Sequence, residues 1–235
     1  AKKAFSISSI YDNTIFSWLD KSNLSKEKLE ISNIKNTFFS KSKTLRYGEN
    51  PHQKGFYYGD INNIFQKLNG KDISYNNLLD IDAAINLIND CQYPTFAILK
   101  HNNACGIAVD KNIYLAWQKA LAGDPISAFG GILITNQTID SKTASDINKL
   151  FFEIIIATKY TSSTLKILKS KKNRIVLELN NTKFSNNIHY KSILNGILAQ
   201  EKDILIECKE NLEKITKLKP TKTHMEDLLF ASTIC

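Results

Sequence analysis

The chain has 235 residues, 43% of them hydrophobic, and a formal net charge of +8 at pH 7. That length suits one or two domains with a real core, and that composition excludes a disordered chain. No apolar run approaches the roughly 20 residues of a bilayer span, and the N-terminus AKKAFSISSIYDNTIF lacks the apolar core and small-residue cleavage site of a signal peptide.

Phe5, Ile7, Ile10, Tyr11, Ile15, Trp18 and Leu19 recur at helical spacing and predict a helix from Phe5 to Leu19. The polar, Lys- and Ser-rich stretch from Asp20 to Lys43 reads as a linker. TLRYGENPHQKGFYYG, rich in aromatics and broken by Gly48 and Pro51, reads as a loop between short strands. Asn76 or Asn77 is placed to cap a helix through LLDIDAAINLINDC, whose apolar face is Leu78, Leu79, Ile81, Ala84, Ile85 and Ile88. Pro94 ends the connection, and FAIL reads as a short buried strand that stops at Lys100, with NNACG as the loop beyond it. A helix is expected through IYLAWQKALAG, broken by Gly123-Asp124-Pro125, followed by a loop SAFGG and a strand ILIT. EIIIA and RIVLEL read as further strands and STLKILKSKK as a helix. Strands alternating with helices predict a layered α/β domain, with ligands collecting at strand ends. Three loops meet that description: the one starting at Lys100, SAFGG, and the one after IIIAT.

The positive charge is spread thinly. Of 31 basic residues only Arg46 and Arg174 are arginines, and the lysines are scattered among Asn, Ile and Ser, unlike the clustered, arginine-bearing surface of a nucleic-acid binder. Cys91, Cys105, Cys208 and Cys235 form no CxxC pair, so neither a zinc site nor a disulfide framework is indicated, and a reducing, cytoplasmic setting is the plain reading. The chain begins with Ala and not Met, as an internal piece of something longer would.

Three segments carry residues suited to chemistry. His101 titrates near neutrality and can take a proton from a weak nucleophile, while the neighbouring Lys100 ammonium disfavours imidazolium and can stabilise a developing oxyanion. The alternative is a solvated lysine beside a histidine bonded to loop backbone. In LRYGENPHQ, Arg46 offers a planar donor fork to phosphate or carboxylate, Tyr47 a ring and hydroxyl, and Gly48 a closely approachable N–H. An ordinary turn, with Glu49 neutralising Arg46, is the competing reading. In DPISAFGG, the paired glycines can present backbone donors and Phe129 can stack on a planar ring, or the segment is a helix stop and turn. His101 and Cys105 lack the HxE and PCxxC partners of a zinc deaminase.

Taken in order, AKKAF…YD, LRYGENPHQ, LNGKDISYNNLLDIDAA, LKHNNACGIAV, DPISAFGGI, EIIIA, KKNRIVLEL, NGILAQEKD and KPTKTHMEDLLFA resemble the bifunctional purine biosynthesis family, in which AICAR (phosphoribosylaminoimidazolecarboxamide) formyltransferase is joined to IMP cyclohydrolase. The resemblance implies formyl transfer from 10-formyltetrahydrofolate, a cosubstrate, to the 5-amino group of AICAR, with no metal. It implies His101 as base and Lys100 as transition-state stabiliser, with Arg46, Tyr47, Gly130 and Glu153 at nucleotide-contacting positions and Phe129 packing beside the ring. It further implies a cytidine-deaminase-like α/β/α subdomain without zinc, preceded by a linking helix. Residues 1–40 would end the cyclohydrolase domain and 41–235 would form the first of two transferase subdomains. A homodimer with shared active sites is implied, with no nucleic-acid or membrane partner. An inactive or structural fragment of that enzyme, or a basic nucleic-acid-binding module, are the alternatives. Ala104 stands where the family commonly has proline, which is expected to leave the loop looser.

Overall fold

The computed structural model describes residues 1–20, 42–180, 188–206 and 208–234, so most of the linker expected from Asp20 to Lys43 lies outside the described residues. Two compact units emerge, one drawn from Ala1–Ile61 with Asp72–Asn76, the other from Asn62–Lys71 with Asn77–Cys235.

In the first unit, α1 (Lys2–Asp20) covers the expected N-terminal helix. β1 (Ser42–Thr44) and β2 (Phe56–Tyr58) pair antiparallel on either side of the LRYGENPHQ loop, as the aromatic and turn residues predict. The loop is tied internally: the Leu45 N–H donates to the Gly55 carbonyl at 2.9 Å and the Gly48 N–H to the Gln53 carbonyl at 2.7 Å.

The second unit is built on a six-stranded mixed sheet of order β3-β8-β7-β6-β4-β5. Its strands are β3 (Phe65–Asn69), β4 (Thr95–Lys100), β5 (Asn103–Val109), β6 (Ile132–Ile139), β7 (Ile154–Tyr160) and β8 (Ile175–Leu179). β6, β7 and β8 are parallel, while β4 runs antiparallel to β5 and β6, and β3 antiparallel to β8. The helices are α2 (Tyr75–Asn89), α3 (Ile113–Gly123), α4 (Ser141–Ile147) and α5 (Ser162–Leu168). Three of them start at side-chain caps: Asn112 accepts from the Tyr114 N–H, Asp140 from Thr143 and Thr161 from Thr164, each satisfying an orphan donor. A separate hairpin, β9 (Ile188–Ile193) with β10 (Gly196–Glu201), and helix α6 (Lys222–Ile234) follow; neither α6 nor β10 has a buried residue among those described.

β4 is buried at every position from Thr95 to Leu99, so both faces of the sheet are covered there. Phe96 and Ile98 point into a cluster with Trp117, Ala120, Leu133, Ile155 and Val176. The alternate residues Ala97, Leu99, Ile134, Ile156 and Leu177 are buried too, and α2 buries Ile81, Ala84, Ile85 and Ile88 outside that cluster. Trp117 meets Phe96 edge-on with centroids 5.2 Å apart, and its indole N–H donates to Asp146 Oδ2 at 2.9 Å. No helix among the described residues is long and apolar enough to cross a membrane.

Three expectations change. NNACG is not a loop: Asn103 begins β5 and pairs with Lys100, leaving His101 and Asn102 alone as the turn. Ala104 therefore pairs with Leu99 inside a ladder, which restrains its backbone without proline. Asn76 and Asn77 do not cap α2, which starts at Tyr75; their side-chain amides donate instead to the Glu49 carbonyl and to Glu153.

Replacing Trp117 by alanine should remove a fully buried ring and its hydrogen bond to Asp146, whose other oxygen stays with Lys149 at 2.7 Å. A destabilisation of about 3–5 kcal/mol is expected from denaturant unfolding of the protein; a loss under about 1 kcal/mol would contradict the packing described.

Candidate functional site

Leu99 of β4 pairs with Ile132 of β6, and Ile132 with Ile154 of β7. This register brings the carboxyl end of β4 to the same edge of the sheet as the amino ends of β6 and β7. Lys100 and His101, Phe129 and Gly130, and Glu153 therefore gather along one edge although they come from three separate segments. The loop after IIIAT does not join them. β7 runs parallel to β6, so its carboxyl end at Tyr160 lies at the opposite edge.

Short contacts fix these segments to one another. Lys100 Nζ donates to the Phe129 carbonyl at 3.0 Å. The Gly130 N–H donates to the Phe151 carbonyl at 2.8 Å, and the Glu153 N–H to the Gly131 carbonyl at 3.0 Å. Gly130 has φ +76, a left-handed backbone that glycine adopts without penalty. At Gly131 a Cβ would stand 2.7 Å from the Leu99 carbonyl, so the chain passes β4 too closely for a side chain. The Asp124 carboxylate accepts N–H bonds from Ile126 at 3.1 Å and Ser127 at 2.9 Å, closing the turn that leads to Phe129. Hydrogen bonds from Ser127 hold that carboxyl below its ordinary range. Its contribution is complete above the unfolded value of about 3.9 and is lost as pH falls through the lower folded one.

His101 is exposed at the tip of the β4–β5 hairpin, with φ +52, followed by Asn102 at φ +64. Its carbonyl accepts from Asn103 Nδ2 at 2.9 Å, and the Asn102 N–H donates to Asp80 Oδ1 at 2.8 Å. Phe129 is 59% exposed and stacks at a tilt against Phe151, centroids 5.1 Å apart, forming an aromatic step beside Gly130. Glu153 Oε2 is held by Lys71 Nζ at 3.2 Å and Asn77 Nδ2 at 3.3 Å. Both Phe151 and Glu153 also line a cleft of about 480 Å³ whose other walls include Lys71, Lys171 and Arg174; neither Lys100 nor His101 reaches it. Arg174 is only 6% exposed, lies over the Phe152 ring and donates to Asn148 Oδ1 at 2.7 Å, a packing role that burial accompanies with a lowered pKa.

Cys105 sits on β5, where burial pushes its thiol up, Asp124 adds to the rise and Lys100 opposes it. A rise of this kind favours the thiol over the thiolate, which is the nucleophilic form. Among the described residues no three His, Cys, Asp or Glu side chains gather as a metal site would require.

Arg46 and Tyr47 belong to the other unit. Arg46 Nη2 donates to the Tyr47 hydroxyl at 2.7 Å, and its guanidinium lies 4.6 Å from that ring's centroid. Among the described residues Glu49 forms no ion pair with Arg46, and the Gly48 N–H is spent on Gln53 within the loop and not held free for a ligand. Phe151, Asn77, Lys71 and Asp80 are the neighbours that sequence reasoning missed. Asn77 and Asp80 lie three apart on one face of α2.

The family model described as AICARFT/IMPCHase bienzyme matches residues 1–235. The chain belongs to the AICARFT/IMPCHase bienzyme family. The bifunctional purine biosynthesis protein PurH of Bacteroides thetaiotaomicron is 50% identical over 234 residues, covering 100% of this chain and 44% of its own length. PurH of Thermoanaerobacter sp. is 39% identical over 98% of this chain and 46% of its own length, and PurH of Acetivibrio thermocellus 37% identical over 100% and 47%. The chain thus spans less than half the length of these curated bienzyme relatives. In DPISAFGG, Gly131 is the residue that passes close against the Leu99 carbonyl of β4. Gly131→Ala should consequently lower the thermal midpoint measurably by forcing Leu99 and Gly131 apart; an unchanged midpoint in a thermal melt would contradict the close approach.

Proposed function

We propose that the chain carries part of the formyl-transfer site of a bifunctional purine biosynthesis enzyme, which moves a formyl group from 10-formyltetrahydrofolate to the 5-amino group of AICAR. The observation that supports this most is the sheet edge where Lys100, anchored 3.0 Å from the Phe129 carbonyl, adjoins an exposed His101 on a rigid hairpin. Sites carried on rigid elements hold reacting groups to the needed precision.

The amine of AICAR is a poor nucleophile, because its lone pair is delocalised into the imidazole and its carboxamide. His101 takes the amine proton as nitrogen attacks the formyl carbon, and the Lys100 ammonium stabilises the resulting oxyanion. When the bond between the formyl carbon and N10 breaks, the imidazolium returns a proton to N10 and tetrahydrofolate leaves. Gly130 and Glu153 contact the nucleotide, Phe129 packs against a planar ring, and Arg46 with Tyr47 receives the 5′-phosphate, for which a guanidinium fork is suited. The reading needs no metal. It takes the α/β unit as a cytidine-deaminase-like subdomain and the parent protein as an IMP cyclohydrolase as well. The working form would be a cytoplasmic homodimer whose further residues complete the site.

In the full-length protein that contains this chain, His101→Ala should lower kcat about 10²- to 10⁴-fold while AICAR still binds. Unchanged turnover would remove His101 from the reaction. Arg46→Ala should instead weaken AICAR binding about 10- to 100-fold, the worth of a charge-assisted contact of about 1.5–3 kcal/mol. Calorimetric titration with AICAR decides it, and full retained affinity would rule out the phosphate role.

A further inference from the structure

The β4–β5 hairpin closes with two residues, because Lys100 pairs directly with Asn103. Both residues between them, His101 at φ +52 and Asn102 at φ +64, have left-handed backbone. Two-residue turns with both φ values positive match the right-handed twist of the flanking strands, and Asn-Gly is their usual sequence. Here neither position is glycine. Each pays a left-handed penalty of roughly 1–2 kcal/mol, tempered by the tolerance of His and Asn for this region. Such strain persists only when the surroundings over-determine it.

The surroundings do so at one peptide group. The peptide linking His101 to Asn102 has its carbonyl held by Asn103 Nδ2 at 2.9 Å and its N–H held by Asp80 Oδ1 at 2.8 Å. Within a two-residue turn that N–H has no ladder partner, so a carboxylate from outside the hairpin is what restrains it. Asp80 stands on α2, three residues after Asn77, whose side chain reaches the same sheet edge at Glu153. The plane of this peptide sets ψ of His101 and φ of Asn102, and so the direction in which the imidazole leaves the backbone.

We infer that Asp80 is a positioning residue that locks the His101–Asn102 peptide and thereby aims His101 at its substrate. The catalytic part of this inference rests on the formyl-transfer reading above; the locking of the turn does not. Lys100 is pinned independently through Phe129, so loss of Asp80 releases the base and not the ammonium. Misplacing a reacting group by about 1 Å can cost on the order of 10²-fold in rate.

The test has two readouts. On this chain, amide hydrogen exchange at Asn102 should be slow in the parent and in Asp80→Asn, whose Oδ1 can still accept, and fast in Asp80→Ala. In the full-length protein, Asp80→Ala should lower kcat about 10- to 100-fold with KM for AICAR within about twofold. Asp80→Asn should retain most of the activity, and Asn102→Gly added to Asp80→Ala should recover part of the loss, because glycine adopts the left-handed conformation freely. Unchanged exchange at Asn102 in Asp80→Ala would overturn the lock. Fast exchange with unaltered kcat would overturn the positioning role. Should His101→Ala leave turnover intact, the formyl-transfer reading falls, while the exchange experiment still decides the lock.

Discussion

Leu99 pairs with Ile132 where β4 meets β6, and that register decides what can stand at this end of the strands. β4 is buried on both faces and hydrogen-bonded on both sides, so it cannot slide without moving a whole row of buried residues. With β4 fixed, Lys100 emerges at a set height, the Phe129 carbonyl lies within its reach, and Gly131 has to be glycine because the Leu99 carbonyl occupies the space of a side chain. The parallel pairing of β6 and β7 then carries Glu153 to the same edge. The candidate residues stand where β4, one strand in from the edge, ends and the parallel pair β6 and β7 begins, a reversal of direction inside one sheet.

The parts of this arrangement readable from sequence are those with dense local signals. FAIL, ILIT, EIIIA and RIVLEL are continuous apolar runs and became the inner strands; IYLAWQKALAG has both helical periodicity and an Asn cap and became α3. β3 was not legible, since FQKLN buries only Phe65 at the edge of the sheet. β5 was missed because NACGIAV starts with polar and small residues, and half-buried edge strands carry little hydrophobic pattern. α4, SKTASDI, has too few apolar positions to show a period, and its cap Asp140 was not read as a helix start. At the site, Lys100 and His101 stood out as charge at the end of an apolar run. Asp80 and Asn77 did not, because their partners lie 22 and 76 residues further along the chain and no local rule links them.

The LRYGENPHQ loop illustrates a different kind of miss. Its residue types were read correctly as a turn between short strands, yet the roles of individual atoms were not. Gly48 serves the loop's own closure, and Arg46 is pre-aligned by the Tyr47 hydroxyl and ring and not quenched by Glu49. A guanidinium already held against a ring has less freedom left to lose in any further contact.

The hairpin that carries His101 has a further property, which concerns length and not identity. Its turn is as short as a β-hairpin allows, and its ladder already carries one irregularity, between Ile98 and Leu99, where Cys105 is the extra residue of β5. One inserted residue would have to be absorbed as a second bulge or would shift β5 by one position, turning Ala108 outward from the core. The segment can thus exchange one side chain for another more readily than it can grow or shrink. Its reach into solvent is set by the geometry of strand pairing, leaving variation in size to segments that close no ladder.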